Sequence, residues 1–216
     1  MNKRLNLSQV EQSLKSVQKR FDKINKQLDM ARDPMTDAVI DNMLSAFRYL
    51  DTLIDKSDKL FKPPELNDLL ELNHRVLCGD DARKRKEFAK HIAATEEKFY
   101  AHIAWLKDWY RRHCNDSVYK RAAGIYIGIL CQPQLFIEGN HRTGSLIAGL
   151  ELMRSGEPPF VLDTKNAIAY FNPSTVIKLS DRRRYRDTLF KMPGIKKRFG
   201  KFLQKNACEN YLLQDK

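Results

Sequence analysis

Residues 122–131 read AAGIYIGILC and are apolar nearly all round a helix of almost three turns. A helix without a polar face has to be enclosed by other elements, so this segment demands a bundle built around it. Along the rest of the chain apolar residues recur every three or four positions, and no alternating strand pattern competes. The expected fold class is therefore all-α. Leu7, Val10, Leu14, Val17, Phe21, Ile24 and Leu28 form a heptad seam, which either packs along the main body or pairs with a second copy as a homodimer through residues 7–28. Asp33-Pro34 offers an N-cap and a first-turn proline for a second amphipathic helix through Met43, Phe47, Leu50 and Ile54. Pro63-Pro64 breaks the chain, and a third helix from Glu65 closes at Cys78-Gly79. Residues 80–110 read as one continuous helix, and Asn115 or Asp116 caps the apolar one that follows. After it come a helix from about Thr143 to Ser155-Gly156, two short helices separated by a turn at Asn172-Pro173, and a basic helical tail. The pattern divides into an N-terminal helical extension (1–60), a core (61–190) and the C-terminal tail (191–216).

Length and composition narrow the class. With 216 residues, 42% hydrophobic and 31% charged, the chain supports a globular core. No apolar run approaches the roughly 20 residues that span a bilayer, and the N-terminus lacks a secretory pattern. The four cysteines are scattered, which points to neither a zinc site nor a disulfide framework. The expectation is a cytoplasmic protein with no membrane partner. The formal net charge of +12 is concentrated in residues 178–205, where eleven Lys/Arg face only Asp181 and Asp187. Such a segment is either a solvated basic face or a surface for nucleic acid or another anionic partner.

The chemistry concentrates in residues 134–145, QLFIEGNHRTGS. A short apolar run ends at Glu138, and Gly139-Asn140-His141-Arg142 leads into a helix. A helix N-terminus presents unpaired N–H groups and a partial positive charge, and amides around a left-handed residue form an anion nest. An acid here suits Mg2+, directly or through water, and Arg142 suits phosphate oxygens.

Phe136, Glu138, Gly139, Asn140 and Arg142 stand in the register of the motif H-x-F-x-[DE]-G-N-G-R-x-x-R, and the stretch resembles the Fic/Doc (Fido) family. The resemblance covers roughly residues 65–180 and implies a Fic/Doc-like helical bundle with a central buried helix and an anion-binding loop. It also implies a transferase that moves a phosphate-containing group, AMP or phosphoryl, from a nucleotide such as ATP to a protein hydroxyl (AMPylation in most of the family). Glu138 would hold Mg2+, while Gly139, Asn140, His141, Arg142 and Thr143 would hold phosphate. The target protein is not identified by sequence. Three positions depart from the motif. Gln134 replaces the catalytic histidine, and an amide orients a nucleophile but is not basic. His141 replaces the second glycine, giving N-H-R-T beside the N-K-R-T of the Doc branch, and is a candidate phosphate contact or replacement base. Ser145 replaces the second arginine, and no inhibitory [ST]-x-x-x-E-[GN] helix is present. The family's target-docking hairpin has no counterpart in the helical stretch 80–103.

Three functions follow: a Fic-type transferase with altered chemistry, catalysed by Gln134 and His141; a non-catalytic nucleotide- or anion-binding module; and a basic nucleic-acid-binding protein. His91 and His102 lack metal-ligand spacing, and Trp105, Trp109 and Tyr110 are expected in the core.

Overall fold

The computed structural model describes residues 4–56 and 60–213, and the expected boundary at 60–61 adjoins the undescribed residues 57–59. Ten α-helices and no strand occur among the described residues. They are α1 (Leu7–Lys19), α2 (Phe21–Asn25), α3 (Asp37–Leu53), α4 (Pro63–Cys78), α5 (Ala82–Glu87), α6 (Ala89–Arg112), α7 (Val118–Leu130), α8 (Asn140–Arg154), α9 (Ala167–Lys178) and α10 (Met192–Lys205). The all-α expectation holds.

The apolar segment behaves as its composition requires. Every residue from Ala122 to Leu130 in α7 is buried. α8 packs along α7 more extensively than any other pair of elements, and α10 covers another side of α7 through Phe199 and Leu203. The basic tail thus carries an apolar stripe into the bundle core. Gly124 and Gly128 face α6, where a Cβ on Gly124 would stand 1.8 Å from Trp109 Cη2. The two helices therefore meet with backbone against indole.

The heptad seam is filled within the chain. Val10 and Leu14 enter the main core, while Val17, Phe21 and Ile24 pack with Ala167 of α9. The seam is not one rod, because the helix breaks at Arg20. These contacts occupy the face that pairing through residues 7–28 would need.

Several boundaries differ from expectation. Thr36, not Asp33, caps α3 by accepting from the Val39 amide. The 80–110 stretch is two helices, because Asp81 caps α5 and Arg85 ties it to Glu71 and the Gly79 carbonyl before the chain turns at Phe88. Ser117 precedes α7, where Asn115 or Asp116 was expected. Pro173 lies inside α9 and makes no turn, since the flanking Tyr170, Ser174 and Ile177 are buried and hold the helix together across it.

Candidate functional site

Gly139 ends the run from α7 in a left-handed conformation (φ 72°) and serves as N-cap of α8, which begins three residues earlier than the sequence suggests. Two buried asparagines shape the loop. Asn140 accepts from the Phe136 amide and donates to the Phe136 carbonyl, both at 2.9 Å. Asn73 of α4 donates to the Glu138 carbonyl (3.0 Å) and to Thr143 Oγ1 (2.9 Å). Lys98 of α6 adds a bond to the Phe136 carbonyl, and Phe136 stacks on Phe99. The loop is therefore rigidly held. Among the described residues no protein acceptor takes the amides of Asn140, His141 or Arg142, so the first turn of α8 presents open donors.

A cavity of about 440 Å³ lies at this turn. Gln134, Glu138, Gly139, Asn140, His141, Arg142 and Ser145 line it from the loop side, with Arg32, Asp33 and Lys178 from elsewhere. Apolar side chains of the N-terminal helices and α9, including Phe21, Phe47 and Phe171, complete the wall. The cavity wall thus combines charged with apolar and aromatic side chains, a composition suited to a ligand with both characters.

Arg142 is largely buried and donates from Nη1 to the Val76 carbonyl at 3.1 Å. Burial pushes its pKa down, with the charges of Glu138 and Asp33 opposing. Among the described residues neither acid forms an ion pair with it. Glu138 is exposed at the cavity rim. Gln134 lines the cavity too, but its Nε2 donates back to the Leu130 carbonyl at the end of α7.

Two of the expected site residues have their side chains engaged within the protein. Both ring nitrogens of His141 are engaged in this way. Nε2 lies 3.2 Å from Arg32 Nη1 and Nδ1 lies 3.0 Å from the Tyr126 hydroxyl. Arginine only donates, so Nε2 accepts and a neutral ring carries its proton on Nδ1. That proton goes to Tyr126, whose hydroxyl in turn reaches Ser174, which donates to the Tyr170 carbonyl. Burial first, then the charges of Arg32, Lys178 and Arg142, push the imidazole pKa down to about 3. Thr143 is fully buried and its hydroxyl accepts from Asn73. Asn140 has spent its side chain on Phe136, leaving its backbone amide for an anion.

Sequence reasoning missed Asn73, Lys98 and Arg32. Asn73 and Lys98 act on the loop from helices far away in sequence, and no local pattern marks them. Arg32 falls in the segment between α2 and α3, where the Asp33-Pro34 cap drew attention instead.

The cavity and its left-handed glycine can be set beside known proteins. A protein adenylyltransferase fic-1 of Caenorhabditis briggsae is 28% identical over 128 residues, 55% of this chain and 25% of the relative. The fic-1 adenylyltransferase of Caenorhabditis elegans is 27% identical over 153 residues, 65% of this chain and 29% of the relative. The chain has Fic-like relatives. It spans under a third of the length of these two. No protein-family model matches the chain, and no solved structure does.

The segment 178–205 resolves into several environments. Arg183 pairs with Asp181, Lys196 pairs with Asp116, and Arg182 lies over the Trp105 ring while donating to the Gly128 carbonyl. Arg184, Arg186, Lys197 and Arg198 are exposed, as are the rings of Tyr185 and Phe190. No helix among the described residues is long and apolar enough to cross a membrane.

Proposed function

We propose that this chain is a Fic-like protein whose cavity binds a phosphate-bearing ligand, a nucleotide being the class that suits its mixed charged and aromatic walls. Arg142 carries the reading: a largely buried guanidinium at the cavity wall with a carbonyl partner and no ion pair among the described residues. Buried charges are normally paired, so an anion in the cavity would supply what the protein does not. The open amides of α8 and its dipole add to the same attraction.

Mg2+ fits this arrangement in a limited way. Glu138 offers a hard carboxylate oxygen at the rim, and Mg2+ is commonly held by one or two carboxylates with waters and phosphates. No group of three potential ligands occurs among the described residues, so Glu138 would hold the ion only together with the ligand's phosphates. When bound, the ion would neutralise phosphate charge.

Transfer to a protein hydroxyl is the second reading, favoured by kinship with two adenylyltransferases. In it the acceptor oxygen attacks phosphorus, the phosphoanhydride bond to that phosphorus breaks to release pyrophosphate (AMP transfer) or ADP (phosphoryl transfer), and the hydroxyl proton must leave. The Gln134 amide is not basic, and both ring nitrogens of His141 are engaged by Arg32 and Tyr126, so neither side chain is poised to take that proton. Loss of general-base help costs about 10²- to 10⁴-fold, so binding is the stronger reading and any transfer is slow. Gln134 would then orient the acceptor. The identity of the target stays open, since the helices over residues 82–112 offer no strand edge for it.

A thermal-shift titration with ATP, with and without Mg2+, tests binding, using Arg142→Ala as control. A ligand-dependent rise lost in the variant supports it, and no rise with any nucleotide overturns it. Incubation of lysate with ATP labelled at the α- or γ-phosphate tests transfer. Label that disappears with Glu138→Ala raises the second reading above the first.

A further inference from the structure

The two positions that set this loop apart from the Fic motif on its helical side, His141 and Ser145, share the cavity with a residue the motif does not contain. Arg32 enters from the segment between α2 and α3. Asn25 fixes its backbone, accepting from the Arg32 amide at 2.8 Å and donating to its carbonyl at 3.1 Å. The side chain lies over the Phe171 ring, 5.6 Å from its centre. Nη2 donates to the Phe171 carbonyl (3.2 Å) and to Thr175 Oγ1 (2.7 Å), and Nη1 donates to His141 Nε2 (3.2 Å). A guanidinium has five N–H donors, and these contacts occupy three. A second N–H on Nη1 is left, together with Nε, which is buried without a partner. An unmet buried donor on a cation is costly and calls for an acceptor. Ser145, at the place of the motif's second arginine, turns its hydroxyl back to the Arg142 carbonyl at 2.8 Å.

We propose that Arg32 forms a second anion subsite in the Arg142 cavity, positioned by His141, so that the pocket prefers a ligand with linked phosphates over one with a single phosphate. The proposal rests on the phosphate reading of the cavity. Arg142 and the open turn of α8 hold one anionic group. Arg32 holds the next. His141 serves as a neutral acceptor that aims the guanidinium, and Tyr126 fixes the tautomer that lets it accept. Two guanidinium groups in one partly buried cavity repel each other, and two linked phosphates can pair with both groups where a single phosphate pairs closely with one. Lys178, a third cation on the wall, adds to the same preference.

The test compares orthophosphate and pyrophosphate binding to the full chain by calorimetry, in the wild type, Arg32→Gln, His141→Phe and Arg142→Ala. Circular dichroism and thermal midpoints check that each variant is folded, and Arg32→Lys keeps the charge should Arg32→Gln misfold. The wild type is expected to bind pyrophosphate at least about tenfold more tightly than orthophosphate, the scale of one charge-assisted hydrogen bond. Arg32→Gln removes that preference while leaving orthophosphate binding intact, and His141→Phe reduces it in the same selective way. Arg32→Lys retains part of it. A preference unchanged in Arg32→Gln, or equal weakening for both anions, overturns the subsite while the phosphate reading stands. If the wild type binds neither anion, the phosphate reading falls and the subsite with it.

Discussion

Burial settles what single side chains in this cavity can do, and His141 is the clearest case. Its folded pKa of about 3 lies below the unfolded value of about 6.5. Between those values the unfolded chain takes up a proton that the folded chain refuses. Stability therefore falls as pH drops below about 6.5 and stops falling near pH 3. At pH 5 the loss from this group is of the order of 2 kcal/mol. His141→Gln removes the proton uptake, so urea midpoints at pH 8 and pH 5 should lie closer together in the variant. Equal acid sensitivity in both proteins would sink the argument. Gly139 carries a second prediction. Its φ of 72° is a left-handed conformation, and a Cβ there would meet Asn73 Nδ2 at 3.0 Å and Val76 Cγ1 at 3.2 Å. Gly139→Ala should cost about 1–3 kcal/mol in a urea unfolding curve, and a change below roughly 0.5 kcal/mol would show that the loop relaxes freely. Glu138, Gly139 and Arg142 were legible in the sequence because an acid, a turn glycine and an arginine at a helix start form a local pattern. The setting of His141 was not legible, because burial, Arg32 and Lys178 make it and none of these is local. The setting of Thr143 was hidden for the same reason, since its hydroxyl meets Asn73, 70 residues earlier.

At the scale of helices, periodicity carried most of the information and capping carried less. The apolar segment at 122–131 announced the central helix, and the double proline and Cys78-Gly79 marked the ends of α4. The errors fell where tertiary contacts outweighed local preference. Pro173 should end a helix at a cost of about 3 kcal/mol, yet buried neighbours on both sides keep α9 intact. The α6–α7 crossing sets the same two effects against each other in a testable way. Gly124 lies inside α7, where propensity alone says that alanine stabilises by about 1 kcal/mol. Its missing Cβ, however, is the space that Trp109 occupies, with Cη2 at 1.8 Å and Cζ2 at 2.2 Å. The indole is part of the packing against the main core and cannot swing aside freely. Gly124→Ala should therefore destabilise by about 1–3 kcal/mol through overpacking. The double change Gly124→Ala, Trp109→Leu should recover part of that loss. A single variant as stable as the wild type in thermal melts would mean that the helices separate at little cost.

For the whole molecule the question is whether the chain closes on itself or needs a second copy. Residues 4–6 and 211–213 meet: Leu5 bridges Leu212, Asn6 donates to the Tyr211 carbonyl and Leu213 donates to the Arg4 carbonyl. The seam residues that sequence alone allows to pair between chains lie against α3 and α9 of the same chain. An obligate dimer gains stability from association, so its melting temperature rises with protein concentration, whereas a self-contained monomer melts at a fixed temperature. The melting temperature should therefore stay constant over a hundredfold range of concentration. Substitution in the seam separates the alternatives more sharply. Leu14 is buried in the main core, and Leu14→Asp places an unpaired charge there, so the variant should lose several kcal/mol and unfold at lower temperature. If residues 7–28 instead joined two copies, the same substitution would yield a folded monomer from a dimeric wild type, visible by analytical ultracentrifugation. Because Leu14 also lines the cavity with Arg32, the self-contained arrangement adds a linked outcome for the proposed phosphate site. Anything that loosens α1 and α2 from the body should weaken binding of linked phosphates before it affects α7 and α8, and hydrogen exchange of the two regions can be compared directly with pyrophosphate affinity in the same variants.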